Sequence, residues 1–160
     1  MTNEVFGRSI SGDVNPVGSL PEQAPASEFL DALDSILAIP GVESVRWEQF
    51  TPYFNDGEPC VFSTGEARVR ISGEDEEHGE YGDGFLTEWD TYDYGPGGWA
   101  DKKYKTFSAH NLYGEDLSKA LVDFTRSGLG KKHYVFLGET FGDHAVVTAT
   151  VDGFEVEYYE

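Results

Sequence analysis

The hydrophobic period of this chain changes from helical to two at Pro40-Gly41, and that junction constrains the fold most. Ahead of it, Phe29, Leu30, Leu33, Ile36 and Leu37 recur at helical spacing, with Asp31, Asp34 and Ser35 opposite. Ser27 is the expected N-cap, and Glu28 sits in the first turn, where negative charge suits the helix dipole. Pro40 and Gly41 then stop the helix. Beyond them Val45 and Trp47 share one face of a strand and Arg46 and Glu48 the other. Phe50 is expected to change the phase as Thr51-Pro52 ends the strand.

The rest of the chain repeats these two signals. Asn55-Asp56-Gly57 marks a turn, and Cys60-Val61-Phe62 and Ala67 to Ile71 read as short strands joined through Thr64-Gly65. A second helix is expected from Glu115 to Arg126, with Leu117, Ala120, Leu121 and Phe124 as its apolar stripe. Residues 132–141 can be read either way, with Tyr134, Val135 and Phe136 favouring a strand and Glu139-Thr140 a helical turn. His144 to Val151 and Phe154 to Tyr159 flank Asp152-Gly153, a strong hairpin signal.

Short strands joined by tight turns argue against parallel units, which need long crossovers. The expectation is one α+β domain over residues 27–160, with two amphipathic helices packed on short antiparallel strands and hairpins. Residues 1–26, rich in Gly and Pro, read as an extended arm with a short strand around Val5 and Phe6. Leu33, Ile36, Leu37, Trp47, Leu121 and Phe124 are the expected core. A shift of about 88 residues lays Leu33 on Leu121, Ile36 on Phe124 and Trp47 on Val135. Amphipathic helices align by period alone, so this echo does not by itself establish a duplication.

Charge narrows the function classes. The 160 residues hold 30 Asp and Glu against 11 Lys and Arg, a formal charge of −19. Direct binding of nucleic acid or anionic membrane through a basic face is therefore not expected. No run approaches the roughly 18 apolar residues of a membrane span, and the N-terminus lacks a signal-peptide layout. Cys60, the single cysteine, excludes an internal disulfide framework and a Cys-cluster zinc site. A free thiol without an export layout points to the cytosol.

Residues 74–101 form an acidic, aromatic-rich insertion. It holds ten acidic residues and no Lys or Arg, and threads Tyr81, Phe85, Trp89, Tyr92, Tyr94 and Trp99 among them. Phe85 to Trp89 reads as a strand, whereas Gly95-Pro96-Gly97-Gly98 is expected to break one. Lys102, Lys103 and Lys105 follow at once. Carboxylates spaced on a firm surface can resemble a phosphate backbone, and exposed Tyr and Trp anchor interfaces. Glu74, Asp75, Glu76, Glu77, Glu80, Asp83, Trp89, Tyr92, Tyr94 and Trp99 are therefore the interface candidates, facing a basic protein. The bland reading puts those aromatics in the core and leaves the acids to solubility. An alternative makes Trp89, Trp99, Lys102, Lys103 and Lys105 the lining of a pocket for a small, nucleotide-like molecule.

Catalytic signals are weak. The chain has no G-x-S-x-G elbow and no phosphate-binding loop, and Cys60 lies beside Pro59 in an apolar stretch typical of a buried hydrophobe. His78, His110, His133 and His144 form no H-x-x-x-H pair, and the acidic run 74–80 departs from the EF-hand pattern. Asp143-His144 could be half of an acid/base pair, though such neighbours more often bond only locally. The expectation is a non-enzymatic protein with no metal and no cofactor.

The stretch Trp47-Glu48-Gln49-Phe50-Thr51-Pro52-Tyr53-Phe54-Asn55-Asp56-Gly57-Glu58-Pro59-Cys60 resembles a motif of small proteins encoded by tailed bacteriophages. Phe141-Gly142-Asp143-His144, with Gly153-Phe154-Glu155-Val156 after it, is similar to the C-terminal part of the same group. The group carries no established activity, fold or catalytic residues, so none is transferred. The resemblance implies a phage product acting in the bacterial cytosol on a host protein or a signalling molecule. It also implies a helix ahead of Phe141, against the strand-like reading of 132–137.

Overall fold

A computed structural model describes residues 20–52, 61–73 and 83–159, with the backbone of 4–5 and 8–9. Most of the arm, the Asn55-Asp56-Gly57 turn, Cys60 and the acidic run from Glu74 to Glu80 lie outside the described residues.

Two short strands, β1 (Glu4–Val5) and β2 (Arg8–Ser9), pair antiparallel in the arm. Helix α1 (Ala26–Leu37) leads into β3 (Val42–Phe50), followed by β4 (Ser63–Thr64) and β5 (Arg68–Ile71). Strand β6 (Phe85–Leu86) precedes a 3-10 turn at Glu88–Thr91 and the hairpin of β7 (Tyr92–Gly95) and β8 (Gly98–Tyr104). A small ladder of β9 (Thr106–Phe107) and β10 (Leu112–Tyr113) leads into α2 (Gly114–Arg126). The chain then runs through α3 (Tyr134–Phe141) to β11 (Ala145–Thr150) and β12 (Gly153–Tyr158).

The main sheet is antiparallel, in the order β12-β11-β3-β5-β6, with β4 paired to the end of β3. This is the expected α+β domain, with three helices rather than two on one sheet face. Trp47 is fully buried where all three meet, its ring 5.9 Å from Phe29 of α1, 6.1 Å from Phe124 of α2 and 5.9 Å from Phe141 of α3. Leu33, Ile36, Leu37, Leu121 and Phe124 are buried with it, as their helical spacing requires.

Several local expectations are corrected. Helix α1 begins at Ala26 after Pro25, with no side-chain cap, rather than at Ser27. Long-range bonds fix its start instead: the Ala24 N–H donates to the Lys132 carbonyl at 2.9 Å, and Gln23 bridges Lys131 and Val135. Residues 132–141, open between strand and helix in the sequence, hold a helix over 134–141, with His133, Leu137 and Phe141 burying one side at a spacing of four. With a helix here, Val135 is exposed on α3 while Trp47 is buried in a strand, so the two halves do not repeat. Strand β3 keeps one phase to its end: Gln49 continues the buried face, and Phe50 stays on the outer face against His144. The strand expected through Phe62 lies one step later, at Ser63–Thr64, because Phe62 turns its ring onto Tyr134.

Candidate functional site

The aromatic part of the insertion is a hairpin standing off the main sheet. Thr87 closes the chain into the 3-10 turn: its hydroxyl accepts from the Trp89 N–H, and its own N–H donates to Asp90 at 2.8 Å. That capping box ends β6 after two residues and overrides the strand expected through Trp89. Gly95-Pro96-Gly97-Gly98 joins two strands rather than breaking one. Its Gly97 N–H donates to Asp101 at 2.8 Å, and Gly98 adopts a φ of 67°, which favours glycine. The root is held by backbone. The Lys105 N–H donates to the Thr91 carbonyl at 2.8 Å, and the Gly114 N–H to the Lys105 carbonyl at 2.7 Å.

The rings gather around Tyr92. Its centroid lies 6.2 Å from Trp89, 5.3 Å from Tyr94, 5.8 Å from Trp99 and 5.7 Å from Tyr104, with edge-on packing in each case. Tyr92 itself is buried, so it supports the cluster rather than offering surface. Burial pushes its hydroxyl pKa up, and the hydrogen bond shared with the neighbouring Tyr94 adds to the rise. Trp89, Tyr94 and Trp99 are 47%, 52% and 59% exposed. The Lys102 ammonium lies over three rings, 4.8 Å from Tyr92, 4.4 Å from Trp99 and 4.9 Å from Tyr104. Lys105 pairs with Asp93 at 3.7 Å on the hairpin.

The predicted site residues therefore separate. Trp89, Tyr92, Tyr94 and Trp99 come together with Lys102. Glu74, Asp75, Glu76, Glu77 and Glu80 lie outside the described residues. Asp83 serves the fold: its carboxylate meets Arg68 at 3.2 Å and Arg46 at 3.5 Å, and accepts from the Phe85 N–H at 3.0 Å. Arg68 is largely buried, and Arg46 also stacks 4.0 Å over the Phe85 ring, so Asp83 locks β6 to the sheet. Trp89 and Trp99 pack on each other with ring centroids 6.0 Å apart, and the Lys102 ammonium lies 4.4 Å over the Trp99 ring. The hollow beside the hairpin, about 260 Å³, is lined by Asp93, Tyr94, Pro96, Asp101 and Lys103.

A larger apolar groove of about 420 Å³ lies beside α3, among Leu20, Phe62, Tyr134, Val135 and Asp143. Asp143 Oδ1 accepts from the Thr51 N–H at 2.7 Å and meets His144 Nδ1 at 3.0 Å. Burial pushes the Asp143 carboxyl up, but the Thr51 bonds and His144 outweigh it and leave the pKa below the ordinary value. Gly142 at φ 90° and His144 at φ 58° make this the tight turn from α3 into β11, with the imidazole between Phe50 and Tyr159. The pair thus has a structural duty. Among the described residues no three His, Cys, Asp or Glu converge as a metal site, and no helix is long and apolar enough to cross a membrane.

Comparison with protein-family models, curated proteins and solved structures finds no match to this chain.

Proposed function

We propose that this chain is a non-enzymatic binding protein that engages a basic partner protein through the aromatic face of the β7–β8 hairpin. One observation carries the reading. Trp89, Tyr94 and Trp99 are each about half exposed, yet all are braced on the buried Tyr92. Large rings held rigid before binding lose little conformational freedom on association, which is what interface anchors need. The acidic excess of 19 charges would steer Lys- and Arg-rich surfaces toward the protein. The resemblance to bacteriophage proteins makes a host protein in the bacterial cytosol the natural partner.

The test is capture from bacterial lysate by wild-type protein and by Trp89→Ala/Trp99→Ala, at low and high salt. Capture of a basic protein that fades with salt and is lost in the double variant supports the reading. If both proteins capture the same partners, the hairpin is not the interface. If the double variant loses only a small molecule, the sequestering reading replaces it.

A further inference from the structure

The sheet has two edges, and they differ. On one side β6 is two residues long, both buried, and runs straight into the capped 3-10 turn. On the other, β12 presents six residues with no Pro, no Lys and no bulge, and among the described residues nothing pairs with its outer side. Long unprotected edges are templates for another strand.

One bond fixes which groups face outward. The Tyr159 N–H donates to the His144 carbonyl at 2.8 Å, and the β11–β12 register runs without a break from there to Thr150 opposite Gly153. Alternation in an antiparallel ladder then directs the N–H and C=O groups of 153, 155 and 157 to β11. Those of Phe154, Val156 and Tyr158 point away from the sheet. The side chains of the same three residues share the helix-side face with Val45, Trp47 and Gln49, through Ala149, Val147 and Ala145. The helices leave them largely uncovered: Phe154 is 42% exposed, Val156 44% and Tyr158 71%. Phe141 covers only the near side of Phe154, with ring centroids 4.9 Å apart. On the opposite face Glu155 and Glu157 are exposed and have no ion pair among the described residues.

We propose that β12 is a strand-addition site for an extended basic segment of another protein, with apolar residues alternating with Lys or Arg. The apolar residues would lie beside Phe154, Val156 and Tyr158 and extend the Phe141 surface, while backbone groups satisfy the outward N–H and C=O. The basic residues would fall on the other face, next to Glu155 and Glu157. Charge selects this occupant over a second copy of the chain. Antiparallel self-pairing about Val156 would set Glu155 against the copy's Glu157 twice, in a chain already carrying 19 excess negative charges.

The experiment uses the full chain and a fluorescent peptide of alternating Val and Lys, read by anisotropy, with a Val/Glu peptide as control. Val156→Pro removes an outward N–H that β11 does not use, and Glu155→Lys/Glu157→Lys reverses the charge. We expect saturable binding of the Val/Lys peptide, weakened by about tenfold or more in each variant. Trp89→Ala/Trp99→Ala should change it by less than about twofold, because the hairpin is a separate surface. Should Val156→Pro unfold, N-methylation of alternate peptide residues replaces it: one phase must abolish binding and the other leave it. Equal binding by wild type and all β12 variants overturns the proposal, as does loss of binding in the Trp variant alone. A wild-type dimer that Val156→Pro converts to monomer would assign the edge to a second copy and also overturn it.

Discussion

The indole N–H of Trp47 donates to Oε1 of Gln49, two residues further along the same strand, at 3.0 Å. The Gln49 amide nitrogen then donates to the carbonyls of Leu137, at 2.8 Å, and Gly142, at 2.7 Å. One fully buried amide thus satisfies the central tryptophan and ties the end of α3 to the sheet. Gln49→Leu fills the space but leaves the buried Trp47 indole N–H without its acceptor and takes a hydrogen bond from each of the two carbonyls, and should cost about 2–4 kcal/mol. Trp47→Ala should cost about 3–5 kcal/mol through the cavity it leaves. Denaturant unfolding of both checks this, and a Gln49→Leu cost below about 1 kcal/mol would show the network to be dispensable.

His133 should contribute a loss of stability as pH falls. It is buried against Phe29, and its Nδ1 has no hydrogen-bond partner among the described residues. Burial pushes its pKa below the ordinary 6.5, Lys132 lowers it further, and Glu28 opposes them. The unfolded chain therefore takes up a proton near pH 6.5 that the folded one refuses. Stability from this group is full above that pH and is lost as pH falls toward the folded value. Protonating carboxylates relieves the net repulsion over the same range, so the wild-type profile mixes two opposed trends. The difference between wild type and His133→Leu isolates the histidine: the variant should gain on wild type steadily as pH drops below 6.5. Parallel thermal midpoints from pH 8 to pH 5 would contradict this.

Asp83 should behave unlike Asp93 of the same tract. Asp83→Asn takes the charge from between Arg46 and the largely buried Arg68 and should cost about 1–3 kcal/mol. Asp93, which is well exposed, should change stability by less than about 0.5 kcal/mol when replaced by Asn. Equal costs for the two would show that the arginine clamp contributes little.

These contrasts show what could be read from the residues. Leu117, Leu121 and Phe124, like Leu33 and Ile36, announce their helices because one face meets the sheet and the other meets water. Asp152-Gly153 announces the hairpin of β11 and β12, and Val147 marks the buried face of β11 by alternation. Tyr134, Val135 and Phe136 mislead because their strand preference is weaker than the packing of Leu137 and Phe141. Gln49 looks like a surface residue, since nothing local shows that the α3 carbonyls will reach it. The aromatic candidates were legible as a cluster, but not their division into a buried support, Tyr92, and exposed faces. That division depends on a hairpin whose rings pack on each other rather than on the core.

The hairpin root offers a way to loosen the proposed interface without touching it. A methyl group on Gly114 would drive into the carbonyl oxygens of Thr91 and Lys105, where the hairpin meets α2. Gly114→Ala should therefore shift the hairpin and weaken partner capture by about tenfold, while circular dichroism stays close to wild type. Undiminished capture by a folded Gly114→Ala protein would mean that the root does not position the rings.

The most direct test of the hairpin as a protein-binding face is photo-crosslinking from its tip. A benzophenone side chain in place of Tyr94, with one in place of the exposed Asp31 on α1 as control, is irradiated in bacterial lysate, and the adducts are identified by mass spectrometry. The account predicts a discrete protein adduct from position 94 alone, with Lys- and Arg-rich peptides at the crosslink and a yield that falls as salt rises. No adduct at position 94, or the same adducts from position 31, would contradict it.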